Sequence, residues 1–367
     1  MAVLGVSSIA PVLPAVAADL NITTRQAGWL IAAFSLPGVI LVPVAGLLAD
    51  RLGRKRVLVP SLLLFAAAGH ACAYAGDFDQ LVALRILQGI GAAALGSVNV
   101  ALIGDLYRGN ARTEAMGYNS GVAAGAATAY PLLGGALAVF GWRYPFALPL
   151  LAVPVALLTV YWLKNPEPRR GDSFIDYIRK VAAELRNGAV AILFIAGLTA
   201  FTMLYGAKLT FLPFLLQSRF EASAADIGLV LGISSLGSMS AVVFLGAMAR
   251  RFGARTILTW AFATMAVTLA AIPLSPVIWL VMLWSALFGM GFSIGISMAS
   301  VQLTEAAPAE QRGAMMSLNG MMFRLGQTAG PILTGGLFAA GGMDLVFFGT
   351  AALALATAVL LAGAPRL

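Results

Sequence analysis

A single cysteine, Cys72, and a single histidine, His70, are spread over 367 residues. One thiol excludes an internal disulfide and any cysteine-based metal cluster. Charge is scarce too: Asp, Glu, Lys and Arg together make up 10% of the chain, and only 15 residues are acidic. Soluble domains carry about 25% charged residues, so an ordinary water-facing surface is excluded. A polytopic membrane enzyme would need a buried nucleophile with its base, or a metal site. One histidine and no carboxylate deep in an apolar run argue against it, and neither cofactor nor metal is expected.

What is abundant is apolar surface. Hydrophobic residues form 60% of the chain and the mean hydropathy is +0.91. A membrane span needs about 20 mostly apolar residues. Such stretches lie near 28–49, 57–75, 80–103, 115–139, 144–163, 189–214, 224–248, 256–274, 277–302, 313–340 and 344–362, with a shorter one before residue 18. Ala15-Val16-Ala17 resembles a signal-peptide cleavage site, but no Lys or Arg precedes the first apolar run, as a signal requires. A short first helix is the expectation, giving twelve spans.

Shifted by 200 positions, the chain falls on itself: Gly28 on Gly228, Arg51 on Arg251, Gly53 on Gly253, Gly89 on Gly289, Asp105 on Glu305, Arg112 on Arg312, Asn119 on Asn319 and Pro131 on Pro331. A repeat this long in so apolar a chain predicts two fused six-helix bundles, residues 1–163 and 189–367. Because each has an even number of spans, they are related by an axis along the membrane normal, with the binding site between them. The polar stretch 164–188 is the linker. Within it Phe174, Ile178, Val181 and Leu185 recur at helical spacing beside Arg179, Lys180 and Arg186, which predicts an amphipathic helix on the inner leaflet; a flexible basic linker is the alternative.

The net charge of +8 does not mark a nucleic-acid binder, because the basic residues are sorted by side. Seventeen fall in connections at one end of the spans, three (Arg25, Arg143, Arg219) at the other, and three within spans. The positive-inside rule then puts both termini in the cytoplasm of a bacterial inner membrane.

Gly46-Leu-Leu-Ala-Asp50-Arg51-Leu-Gly53-Arg54-Lys55-Arg56, between the second and third spans, resembles the signature of the major facilitator superfamily. The resemblance covers essentially the whole chain and implies an all-helical twelve-span transporter that works by alternating access. It also implies that the Asp50 cluster latches the halves in the outward-facing state. The second copy departs from the pattern, with Arg250 in place of Asp50 and Ala254 in place of Arg54. Asp105 and Glu305 are expected as gate residues, paired with Arg112 and Arg312. Leu84-Arg85-Ile-Leu-Gln88-Gly89-Ile-Gly91 is similar to a motif of the proton-linked drug-export branch. Gly117, Pro131, Gly134 and Gly135 follow that branch's antiporter spacing in part, with Ala126 and Tyr130 where glycines would stand. Gly330 and Pro331 repeat the small-residue pattern in span eleven, where close helix packing would use it.

Three cations lie inside spans: Arg85, Lys208 and Arg324. A buried charge is expensive and normally faces a bundle interior or a wet cavity. Arg85 and Lys208 could instead snorkel to an interface, for which Arg324, near mid-helix, has less room. Asn99, Asn119, Tyr130, Tyr205, Asn319 and Gln327 are candidate neutral contacts in the same cavity. His70 is peripheral in the resembled fold. The expectation is a monomeric, proton-coupled exporter of a small organic compound. Two alternatives stand beside it: an organic-anion transporter using Lys208 and Arg324, and a sensor on the same scaffold that moves nothing.

Overall fold

The computed structural model describes residues 3–163, 188–306 and 312–364. Side chains at 113, 242, 243 and 312–314, the linker at 164–187 and Arg366 lie outside that description. The described residues form helices α1 (Leu4–Asp19), α2 (Thr24–Leu52), α3 (Arg54–Tyr74), α4 (Phe78–Leu106), α5 (Gly109–Phe140), α6 (Tyr144–Trp162), α7 (Gly188–Phe220), α8 (Ala224–Arg251), α9 (Ala254–Leu274) and α10 (Ile278–Ala306). A last stretch, Arg312–Gly363, breaks at Gly341 and Gly342 into α11 (312–340) and α12 (343–363). Gly342 takes φ +71, which a residue without Cβ adopts freely. Ten of these stretches are long and apolar enough to cross a membrane, the 49-residue run Met315–Gly363 counting as one; α1 is shorter. It is built of three pieces, with Pro11 and Pro14 opening the second and third.

Backbone packing repeats at the offset seen in the sequence. Thr23 and Gln26 form a capping box at the start of α2, as do Ser223 and Asp226 at the start of α8. Gly89 of α4 abuts the Phe34 carbonyl of α2, and Gly289 of α10 abuts that of Ser234 in α8. Gly91 lies on the backbone of Ser61 and Phe65, and Gly291 on the Ala261 carbonyl and the Met265 side chain. Glycine at these positions lets backbones approach where lipid supplies no hydrophobic drive to pack. The protein is thus an all-α membrane bundle of two pseudo-equivalent halves.

The halves meet where α2 packs on α11 and α5 on α8. Gly28 faces the Pro331 carbonyl and Gly228 that of Pro131, again partners at the same offset. Gly135 presses on the backbone of Ala224 and Ala225, and Arg25 lies against Gly335. All of these contacts are at the end of the spans that is poor in basic residues. Toward the basic end the same helices part: Gly46 of α2, Gly117, Gly121 and Gly125 of α5 and Gly320 of α11 have nothing within 4 Å of where a Cβ would stand. The molecule is closed at one end of its seam and open at the other.

Candidate functional site

A cavity of about 290 Å³ lies on the seam, walled by Ser7 of α1, Pro131 of α5, Tyr205 and Lys208 of α7, and residues of α8 and α10. Its lining is largely apolar, with Phe201, Phe288 and Phe292 grouped on one wall. Ser234, Ser235 and Ser238 line another wall. Among the described residues, neither Asp nor Glu is part of the lining.

Lys208 owes its position to an irregularity in α7. From Leu204 to Phe211 the helix has π geometry, and the Thr210 hydroxyl donates to the Tyr205 carbonyl five residues back, at 2.7 Å. Such wide turns occur in short pieces, often at functional sites. Gly206 sits within it against Gly330 and Thr334, so that α7 and α11 close together without a side chain between them. Lys208 is fully buried; its Nζ donates to Ser285 Oγ of α10 at 2.5 Å and lies 5.4 Å from the Phe288 ring centroid. It does not snorkel.

Arg85 is equally enclosed, but elsewhere. Its Nε donates to the Leu30 carbonyl at 3.0 Å, its Nη1 to Gln88 Oε1 at 2.6 Å, and its guanidinium lies 4.6 Å from the Phe34 ring centroid. Its Nη2 has no hydrogen-bond partner among the described residues, nor has Gln88 Nε2 or Ser35 Oγ. This cluster lies inside the first half, between α2 and α4, and not on the cavity wall.

Most of the other expected cavity residues also lie off that wall. Arg324 runs along the α2–α11 seam, its stem against Gly38, where the missing side chain makes room, and its Nη1 donates to Gln327 Oε1 at 3.2 Å. Asn99 Nδ2 donates to Asn119 Oδ1 at 2.6 Å, and Asn319 Nδ2 to Ser300 Oγ at 3.3 Å, so these amides tie α4 to α5 and α10 to α11. Tyr130 is half-buried and its neighbour Pro131 lines the cavity in its place. Of the nine residues expected to line it, only Tyr205 and Lys208 do. The reason is azimuth: sequence places a residue at a depth in a helix, while packing decides which neighbour it faces.

At the basic end, Arg54 Nη2 lies 2.6 Å from Asp50 Oδ1 and Arg54 Nε 3.1 Å from Asp105 Oδ2. Asp105 therefore pairs with Arg54, not with Arg112, whose guanidinium lies over Gly104. Gly53 turns the chain at φ +94 and so brings Arg54 back between the two carboxylates. Lys55 Nζ donates to the Val160 carbonyl at 2.5 Å. Arg51 is exposed. Glu305 accepts from Gln302 Nε2 at 2.9 Å, and the side chain of Arg312 lies outside the described residues. Among the described residues, the ion pairs of Asp50 and Asp105 are both within the first half. Of the expected packing residues, Gly134 meets the Ser8 carbonyl and Gly330 that of Thr202, whereas Gly117 has open space beside it because it lies on the parted stretch of α5.

Reading the sequence alone missed Ser285, Phe288 and the serines of α8. The repeat offered a signal: Ser285 is the partner of Arg85, so the second copy lacks a cation in α10 and receives one from α7.

The model of the Major Facilitator Superfamily matches residues 1–223 and again 193–366. The quinolone resistance protein NorA of Staphylococcus aureus (strain MRSA252) is 25% identical over 346 residues, which cover 91% of this chain and 86% of that protein. The bacillibactin exporter of Bacillus subtilis (strain 168) is 26% identical over 341 residues, 89% and 85% of the two chains. The solved structure of the nucleoside transporter NupG superposes with a TM-score of 0.80 at 14% identity, covering 98% of this chain and 95% of that one, a likeness of fold. The duplicated helical bundle, the glycine-packed seam and these matches lead to one conclusion: the chain belongs to the major facilitator superfamily of membrane transporters.

Proposed function

We propose that the protein exports a small organic compound by alternating access, in exchange for protons. The observation that carries this reading is the seam cavity, walled by both halves, in a molecule closed at one end and parted at the other. The charge asymmetry supports a cytoplasmic position for the parted, basic end, the side from which an exporter loads. The names of two relatives, a resistance protein and an exporter, support the direction. Rocking the halves would close the basic end and open the other, with the cluster of Asp50, Arg54 and Asp105 at that end as the latch of the closed form. The cavity wall offers Lys208 and Tyr205 as groups that can exchange a proton. The setting is a bacterial inner membrane and the working unit a monomer.

Transport by purified protein in liposomes under an imposed pH gradient tests the reading. A fluorescent quinolone should accumulate against its gradient when protons flow the other way. Movement that is indifferent to the pH gradient would remove the exchange, and no movement of quinolones, dyes or organic acids would favour a sensor.

A further inference from the structure

Among the described residues, Lys208 is the one charged residue on the cavity wall, and no carboxylate lies within ion-pair distance of it. An ammonium has three donors, of which Lys208 uses one, on Ser285. Two hydroxyls on the α8 side of the cavity are already committed as donors, Ser235 to the Ala127 carbonyl at 3.0 Å and Ser238 to that of Gly289 at 2.9 Å. At the cation stand the Ser285 hydroxyl and the Phe288 ring face, in a cavity lined by further hydroxyls and rings, and no negative charge among the described residues. Shutting an ion away from water without an opposite charge is strongly unfavourable, and an anionic ligand would supply that charge. A cationic ligand would meet repulsion.

We propose that the cavity binds an amphipathic organic anion, its carboxylate on Lys208 beside Ser285 and its apolar body against Phe201, Phe288 and Phe292. This deepens the export reading, on which it rests for transport, by naming the substrate class. Arg324, on the seam and off the cavity wall, is not part of the subsite. A volume of about 290 Å³ suits an acid of one or two rings.

Calorimetric titration of the full-length protein in detergent with 2-naphthoate, 2-naphthamide and 2-naphthylmethylammonium, three probes of nearly one size, tests the subsite. Naphthoate should bind at least about 10-fold more tightly than the amide, as expected for a hydrogen bond between charged groups, and the ammonium most weakly. Lys208→Gln should bring the ratio of acid to amide affinity near one while leaving amide binding within about threefold, and Lys208→Arg should keep the preference for the acid. If Lys208→Gln does not fold, Lys208→Arg decides, since loss of the acid preference there overturns the proposal. A ratio near one in the wild type, an unchanged ratio in Lys208→Gln, or no naphthoate binding at millimolar concentration would also overturn it. Flux is measured separately: acid-selective binding without transport sinks the export reading and leaves the subsite standing, whereas quinolone transport without acid preference does the reverse.

Discussion

The two halves share their backbone contacts and differ in how each buries a cation. In the first, Arg85 comes from α4 itself and is sealed between α2 and α4 by Leu30, Gln88 and Phe34. In the second, the equivalent position is Ser285, and the cation reaches it from α7 beside a ring that stands where the first half has Gln88. Duplication kept the glycines that set helix spacing, because a methyl group at Gly89 or Gly289 would run into a carbonyl. It left side-chain chemistry free to diverge. One cation became part of a half's interior; the other became part of the wall between halves.

Substitutions along α5 should produce the largest effects. Gly135→Leu forces a side chain into the backbone of α8, and overpacking of this kind costs about 1–3 kcal/mol or displaces the helix. The closed end should part, seen as a longer spin-label distance between α5 and α8, and transport should fall below about a tenth. Gly117→Leu meets open space here, so thermal stability should hold while transport stops, because that end must close during the cycle. Normal transport by Gly117→Leu would break the contrast between the two ends.

The contrast between the cations is sharpened by Arg85→Leu, which leaves the Leu30 carbonyl and Gln88 without their donor. Loss of about 3 kcal/mol is expected, read as a lower melting temperature with little change in the relative affinities of the naphthyl probes. Arg85→Lys should recover only part of it, since one ammonium cannot reproduce the fork of the guanidinium. Were Arg85→Leu to abolish acid selectivity instead, the two cations would have to share one site.

Smaller effects are expected at the basic end. Arg54→Ala removes bonds to Asp50 and Asp105 that are partly solvated, and such pairs contribute about 0–1 kcal/mol. Stability should hardly move, but cysteine labelling in the seam at that end should increase as the closed form becomes rarer. The smallest effect belongs to Arg250→Asp, which restores the first-half residue at an exposed position near the end of α8; a change within about 0.5 kcal/mol and unaltered transport would show that only one latch is used.

Apolar length, the 200-residue repeat and the sorting of Lys and Arg are properties of the chain in one dimension. They determined the membrane bundle, the duplication and the expected orientation before any helix was packed, because a span of hydrocarbon fixes a length of about 20 residues and the repeat fixes equivalent positions. Depth along each helix was legible in the same way, so Arg85, Lys208 and Arg324 stood out as buried cations. Which of them faces the cavity was decided only in three dimensions. The π turn at Leu204–Phe211 re-aims Lys208, Gly38 gives Arg324 a groove in the seam, and Gln88 and Phe34 enclose Arg85. Azimuth depends on how helices from distant parts of the chain pack together, and local sequence carries little of that information.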